Sequence, residues 1–411
     1  MMKFLDGVKV VEIGHILMAP YATQFLGDFG ADVVKVESLE GDYYRNLGLG
    51  RKRGMTAQWM SVNRNKRSIS LDLKDPEARE TLNALLKDAD IVVHNMRVKA
   101  IERLGLGYQA VKAINPKVVY CAAIGFGQDG PYADFPAFDD IIQAYSGLAA
   151  VNGVGSGKPT FLPIAIADKV VALMLGQAML AGLHRQRATG KGCYIETPMF
   201  EAAVTVVLNQ HLNGHTFVPP EAGLGYKRVM SPYRQPAPTQ DGYIVHGVYK
   251  YEHWQRFLAE TGRQDVLDGP LMADQHAMAN NIAGLYEIAS NEILPTRTTA
   301  EWREFFDRLD IPCAPVLQME DLEQDPHLRA VKLFEEYDHP SQGRLRRTRA
   351  PFSVRDVDVG SDRHPPEIGE HTLEVLREVG LSDEQIATLQ ARGVVRTFSD
   401  EEKPAARKAG W

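Results

Sequence analysis

The sequence predicts an α/β protein: a doubly wound, Rossmann-like parallel sheet, followed by a smaller α/β domain. Three observations carry that expectation. Short β-rich runs at residues 8–13, 31–37, 91–94 and 118–122 alternate with helix-compatible segments at 22–29, 76–87 and 98–104, and strands that alternate with helices build a parallel sheet covered on both faces. The pattern changes near residue 199, where a helical stretch through Leu212 leads into the Pro- and Gly-rich segment 218–225, a linker or loop. The composition, 44% hydrophobic and 24% charged over 411 residues, is that of an ordinary globular chain and excludes disordered, collagenous and disulfide-scaffold classes.

The turn after the first strand, Gly14-His15-Ile16-Leu17-Met18-Ala19-Pro20, lacks the G-x-G-x-x-G approach to a pyrophosphate, which disfavours an NAD enzyme. VNGVGSGKP at 151–159 has Asn152 and Pro159 where a phosphate loop needs Gly and Ser or Thr, so it reads as a flexible loop. The most apolar stretch, 161–183, is long enough to span a bilayer but is interrupted by Asp168, Lys169 and Gln177; a buried segment is the better reading. Asp168 stands where that stretch turns into a helix, and one explanation is a simple N-cap of a helix at 169–183. Beyond the linker, a strand at 243–248 and helices at 252–261, 282–292 and 300–309 suggest a domain over about 225–329. Basic, turn-rich residues at 344–349 and two short helices at 373–379 and 383–391 follow, and the charged tail from Ser399 is expected to fray.

Forty-six Lys and Arg against 53 Asp and Glu give a net charge of −7, no general attraction for nucleic acid or an anionic membrane. Cys121, Cys193 and Cys313 form no C-x-x-C pair, so a reducing compartment is the simplest reading. The amino terminus reaches Asp6 and Glu12 before a signal-peptide core could form; the expectation is a cytoplasmic protein. His211 and His215 are four apart without a third ligand or an H-E-x-x-H pattern, and no metal is assigned.

Eight segments taken in order resemble the class III CoA-transferases, the CaiB/BaiF family. They are LDGVKVVE (5–12), GADVVKVE (30–37), NKRSISLDLK (65–74), Asn95 leading to Arg103-Leu104-Gly105, GFGQDGP (125–131), FDDIIQAYSG (138–147), IPCAPV (311–316) and PEIGEHT (366–372). The resemblance implies a large Rossmann-like domain from 1–198 and 330–411, a linker at 199–224, a small α/β domain at 225–329, and two protomers interlocked as linked rings in a homodimer. It places the family's nucleophilic aspartate at Asp168, which attacks an acyl-CoA thioester and passes through an aspartyl anhydride and an aspartyl-CoA thioester. Coenzyme A is then a substrate and no cofactor stays bound. Its contacts fall on Ile16, Met18, Leu71, Lys74, Asn95, Met96, Arg103 and Leu104; in isolation Lys74 and Arg103 read more commonly as solvated surface charges. Gly223 and Gly225 lie about where the formyl-CoA transferase branch has a glycine-rich closing loop, or they are turn residues.

The departures bear on substrate. Leu17 stands where formyl-CoA transferase has glutamine, Ser38 where it has an adenine-stacking arginine, and Phe138, Gln58 and Leu47 align with its substrate-side tyrosines and tryptophan. Without those polar groups a larger or less polar organic acid is expected, because small polar acyl groups are discriminated by hydrogen bonds. An α-methylacyl-CoA racemase is the nearest rival, but Phe138 occupies its histidine position and is no general base. A non-catalytic CoA-binding protein is a further alternative. Asp139 either orients the active site or caps a helix at 140–145.

Overall fold

The computed structural model describes residues 3–357 and 363–398, so the tail from Ser399 lies outside the described residues. They fall into two compact units, one drawn from 1–142, 164–203 and 329–411, the other from 143–163 and 204–328.

The first unit is built on a seven-stranded sheet. Its strands are β1 (Lys9–Ile13), β2 (Asp32–Glu37), β3 (Lys66–Leu71), β4 (Ile91–His94), β5 (Val119–Ile124), β6 (Cys193–Pro198) and β7 (Val395–Arg396). The spatial order is β7-β3-β2-β1-β4-β5-β6, parallel throughout except for β7, which adds antiparallel to β3. That is the doubly wound order, and it reverses between β1 and β4, where such sheets open a crevice beyond the strands' carboxyl ends.

The strands expected at 8–13, 31–37, 91–94 and 118–122 form, whereas β3 and β6 had no apolar signature. β3 reads KRSISL, yet all of its residues are buried. Its polar side chains are matched by partners distant in sequence: Lys66 by Glu12 at 2.8 Å, and Ser68 by Glu37 at 2.6 Å.

Six helices matter to the site: α1 (Met18–Asp28), α2 (Pro76–Asp88), α3 (Val98–Arg103), α4 (Asp139–Tyr145), α5 (Ile166–Thr189) and α6 (Met199–His211). Helix α1 begins four residues earlier than expected, because Pro20 sits in its first turn, where no intrahelical N–H is required. Met18, Ala22 and Leu26 of α1 and Val171, Leu175 and Met179 of α5 pack on one face of the sheet, while Leu82 and Leu86 of α2 with Val375 and Leu376 cover the other. A Cβ on Gly182 would stand 2.5 Å from Val119 Cγ1 and 2.9 Å from Ile195 Cδ1, so only glycine lets α5 lie this close to β5 and β6.

Helix α5 corrects two expectations. It starts at Ile166 after Ala165, so Asp168 is not an N-cap but the third helical residue. Its stretch is not buried all round either: Leu173 is 47% exposed and Leu180 36% exposed, on the face turned away from the sheet.

The second unit has a three-stranded antiparallel sheet with Tyr243–His246 between Ala237–Pro238 and Cys313–Pro315. Helices Tyr251–Glu260, Ile282–Ile288 and Thr299–Arg308 surround an aromatic core of Trp254, Phe257, Trp302, Phe305 and Phe306. The glycine-rich 151–159 segment is not an open loop but continues a helical turn (Leu148–Asn152) into a 3-10 turn (Val154–Ser156). In the first unit all but the last of the basic, turn-rich residues 344–349 belong to a β-ribbon, Phe334–His339 with Gly343–Thr348, where Arg344 and Arg346 pair with Glu336 and Arg347 with Glu335.

Candidate active site

The crevice side of the first unit carries a cavity of about 330 Å³, lined by Leu71, Lys74, Met96 and Leu104 together with His15 and Ser38. Four of the eight expected CoA contacts therefore converge: the end of β3 supplies Leu71 and Lys74, the end of β4 Met96, and the end of α3 Leu104. Arg103 is exposed and faces an open groove beside it, shared with Arg97 and Lys99. Arg97 was missed from the sequence, where it carries no more signal than any surface arginine.

The remaining three expected contacts, Asn95, Ile16 and Met18, do not line the cavity, but Asn95 and Ile16 belong to the hydrogen bonds around His15, which does. The Asn95 side chain accepts the His15 N–H and donates to the His15 carbonyl, both at 2.8 Å. Ile16 adopts φ +63° and donates its N–H to both Asp42 carboxylate oxygens at 3.0 and 3.1 Å. Met18 is 4% exposed and its side chain packs in the apolar core, away from the cavity lining. Leu17 is also buried and holds the N-cap position of α1.

Under this turn lies a charge network that sequence reasoning did not single out. Lys35 Nζ bridges Glu12 at 2.7 Å, Asp42 at 3.0 Å and the Gly14 carbonyl at 2.7 Å, and all three of these charged side chains are completely buried. Lys66 completes the Glu12 carboxylate, and Arg45 grips Glu37 with two bonds of 2.7 Å. Burial alone would raise the Asp42 carboxyl, but the Lys35 ammonium and the Tyr44 and Ile16 N–H groups hold it down at about 2. Burial lowers Lys66 to about 8 despite its Glu12 partner. The available signal was a single charge inside each apolar run, Glu12 in VVEI and Lys35 in VVKV, since buried charges survive only when paired.

Asp168, in the first turn of α5, is half-buried, and among the described residues no donor reaches its carboxylate. Its backbone N–H donates to Asp139 Oδ1 at 3.0 Å. Asp139 opens its own helix as first residue, and its carboxylate also serves the start of α5, which has no capping side chain of its own, satisfying an orphan N–H of another element. Burial first, and the Asp139 carboxylate second, push the Asp168 carboxyl up to about 7. The Tyr44 phenol is also raised, by burial and then by the Asp168 and Asp42 carboxylates, which puts it within electrostatic reach of both. Phe138, next to Asp139, is 66% exposed.

Gly223 and Gly225 belong to the second unit. Gly225 has φ +95° and its N–H donates to the His211 carbonyl at 2.8 Å, a turn that calls for glycine. Gly223 is exposed, and its carbonyl accepts from the Asn213 side chain.

A family model described as "CoA-transferase family III" matches residues 5–372. The chain belongs to CoA-transferase family III. This CoA-transferase is 30% identical over 389 residues to a succinate–glutarate CoA-transferase of Agrobacterium fabrum, a match that covers 91% of this chain and 95% of that one. A formyl-CoA:oxalate CoA-transferase of Rhodopseudomonas palustris is 29% identical, over 96% of this chain and 98% of its own. The crystal structure of a CAIB/BAIF family protein from Brucella suis matches with a TM-score of 0.77 at 29% identity, covering 92% of this chain and 100% of that one. The expected family and enzyme class are thereby shown.

Proposed function

We propose that this CoA-transferase moves CoA from an acyl-CoA donor to a free organic acid with Asp168 as its nucleophile. The observation that carries the reading is the Asp168 carboxylate itself: a half-buried acid with no donor on it among the described residues, at the start of a long helix, in the unit that holds the crevice. A carboxylate in water is a poor nucleophile because it is well solvated; partial burial strips that shell, and the helix N-terminus supports the charge.

In the proposed sequence Asp168 attacks the donor thioester carbonyl and expels CoA thiolate, leaving an acyl-aspartyl anhydride. The thiolate attacks the aspartyl carbonyl and releases the donor acid, which leaves an aspartyl-CoA thioester. The acceptor carboxylate attacks that thioester, expels the thiolate again and forms a second anhydride; thiolate attack on its acceptor carbonyl gives the new acyl-CoA and restores Asp168. Each step exchanges one acyl bond for another, the advantage of covalent catalysis here being that one difficult exchange is split into easier ones.

Leu71, Met96 and Leu104 would flank the adenine in the 330 Å³ cavity, and Lys74, with Arg97 and Arg103 of the adjoining groove, would meet the phosphates. Ser38 leaves the ring without a stacking guanidinium. Leu17 and Phe138 favour an acid larger or less polar than formate or oxalate, and succinyl-CoA is the first donor to try, since succinate is named for the Agrobacterium relative.

The test is to incubate the protein with succinyl-CoA, quench with hydroxylamine or borohydride, and map modified peptides by mass spectrometry. Modification at Asp168, absent in Asp168→Ala, is expected; a modified residue elsewhere sinks the assignment. We propose also that two chains interlock as ring-like protomers of a homodimer, supported by the exposed apolar face of α5 at Leu173 and Leu180. Light scattering is expected to give twice 45.7 kDa, and a particle of 45.7 kDa would refute it.

A further inference from the structure

The turn between β1 and α1 is held more firmly than a connection requires. Ile16 sits at φ +63°, a left-handed conformation disfavoured for a β-branched side chain. The backbone around it is pinned by three side chains from elsewhere in the sequence: Lys35 on the Gly14 carbonyl, Asn95 on both polar groups of His15, and Asp42 on the Ile16 N–H. Strain of this kind persists only where the surroundings over-determine it, and it gathers at functional sites.

Asp42 is the member that touches Ile16, and it is itself fixed on every side. Its side chain is wholly buried, Lys35 lies 3.0 Å away, and its own N–H donates to Glu37 Oε2 at 2.9 Å. Its Oδ1 also accepts the Tyr44 N–H at 2.9 Å. One carboxylate therefore joins the turn, whose His15 walls the cavity, to the segment whose Tyr44 phenol senses Asp168.

We propose that Asp42 is a positioning residue for CoA: by holding Ile16 in the left-handed conformation it keeps the His15–Leu17 turn as a rigid wall of the CoA cavity. It touches neither CoA nor the reacting atoms. The inference rests on the reading of the 330 Å³ cavity as the CoA site. If the turn relaxes, only a fraction of molecules keep a binding-competent wall, and the apparent dissociation constant rises by the inverse of that fraction.

The experiment is calorimetric titration of the full chain with coenzyme A, with steady-state kinetics alongside. Asp42→Ala, which removes the acceptor of the Ile16 N–H, is expected to weaken CoA binding about 10-fold and to raise KM for acyl-CoA more than it lowers kcat. Adding Ile16→Gly to Asp42→Ala is expected to restore most of the affinity, because glycine enters the left-handed region without strain. A role confined to pairing Lys35 predicts no such rescue, so a double variant that binds no better than Asp42→Ala overturns the proposal, as does unchanged binding by Asp42→Ala. Ile16→Pro keeps the test open should Asp42→Ala fail to fold: the ring fixes φ near about −65° and removes the N–H that Asp42 accepts. Wild-type affinity in Ile16→Pro likewise overturns the proposal. A wild-type protein that binds no CoA would instead defeat the reading of the cavity, and this inference with it.

Discussion

Replacing Asp168 by asparagine is expected to lower CoA transfer by roughly 10⁶-fold, the scale seen when an enzyme loses its nucleophile, and to leave CoA binding nearly intact. The cavity walls at Leu71, Lys74, Met96 and Leu104 come from β3, β4 and α3, none of which depends on the α5 side chain for its position. The same substitution stabilises the fold. Burial and the neighbouring Asp139 carboxylate hold the Asp168 carboxyl at about 7 instead of 3.8, so the folded state prefers it protonated. Its favourable contribution is complete below 3.8, declines as pH rises, and is gone above about 7, where the folded protein must carry the ion at a cost. The asparagine amide carries no such charge. The melting temperature of Asp168→Asn is therefore expected to exceed that of the native chain by an amount that grows between pH 4 and pH 7 and then levels off, worth ~1–2 kcal/mol after solvent screening. Paired melts and CoA titrations at pH 5 and pH 8 check both halves. Retained transfer would remove Asp168 from the mechanism, and equal melting temperatures at pH 8 would contradict the buried-charge account.

What the sequence made legible was whatever was apolar and local. β1, β2, β4 and β5 stood out as short aliphatic runs, and Asp168 stood out as an acid inside an apolar stretch. β3 did not, because KRSISL looks exposed until Glu12 and Glu37 are known to lie against it, and those partners belong to strands tens of residues away. The start of α5 was set three residues late for a related reason. Asp168 has the chemistry of a cap, whereas the true boundary at Ala165 has no capping side chain and borrows Asp139 from 29 residues before Asp168. The outer face of α5 was taken as buried because an apolar residue looks the same whether its own core or another surface covers it. Individual site contacts divided similarly. Leu71, Lys74, Met96 and Leu104 sit at strand and helix ends that the fold brings to one edge, while the turn at Ile16 is held by Asp42, whose distance from it no spacing rule predicts.

The rate of transfer is expected to rise with pH and level off above about 7. In the proposed mechanism the nucleophile is the ionised Asp168 carboxylate, and with its pKa near 7 the reactive fraction falls about tenfold per pH unit below that point, so kcat/KM at pH 5 should be about one hundredth of the plateau. Asp139→Asn separates the two causes. Its amide oxygen can still accept the Asp168 N–H that Asp139 Oδ1 accepts at 3.0 Å, so the start of α5 keeps its partner, but the repelling charge is gone. The acid limb should then move to lower pH and yet stay above 3.8, because burial is the larger cause and is untouched. Profiles of kcat/KM from pH 5 to pH 9 for both proteins decide it: a native profile flat below 7 would mean that Asp168 is ionised by some group of the complex, and an unmoved limb in Asp139→Asn would remove Asp139 as the second charge. A raised pKa is also useful to the chemistry. A carboxylate that binds its proton more tightly is the stronger nucleophile once ionised, so holding Asp168 near neutrality keeps a substantial fraction reactive while making that fraction better at attacking a thioester.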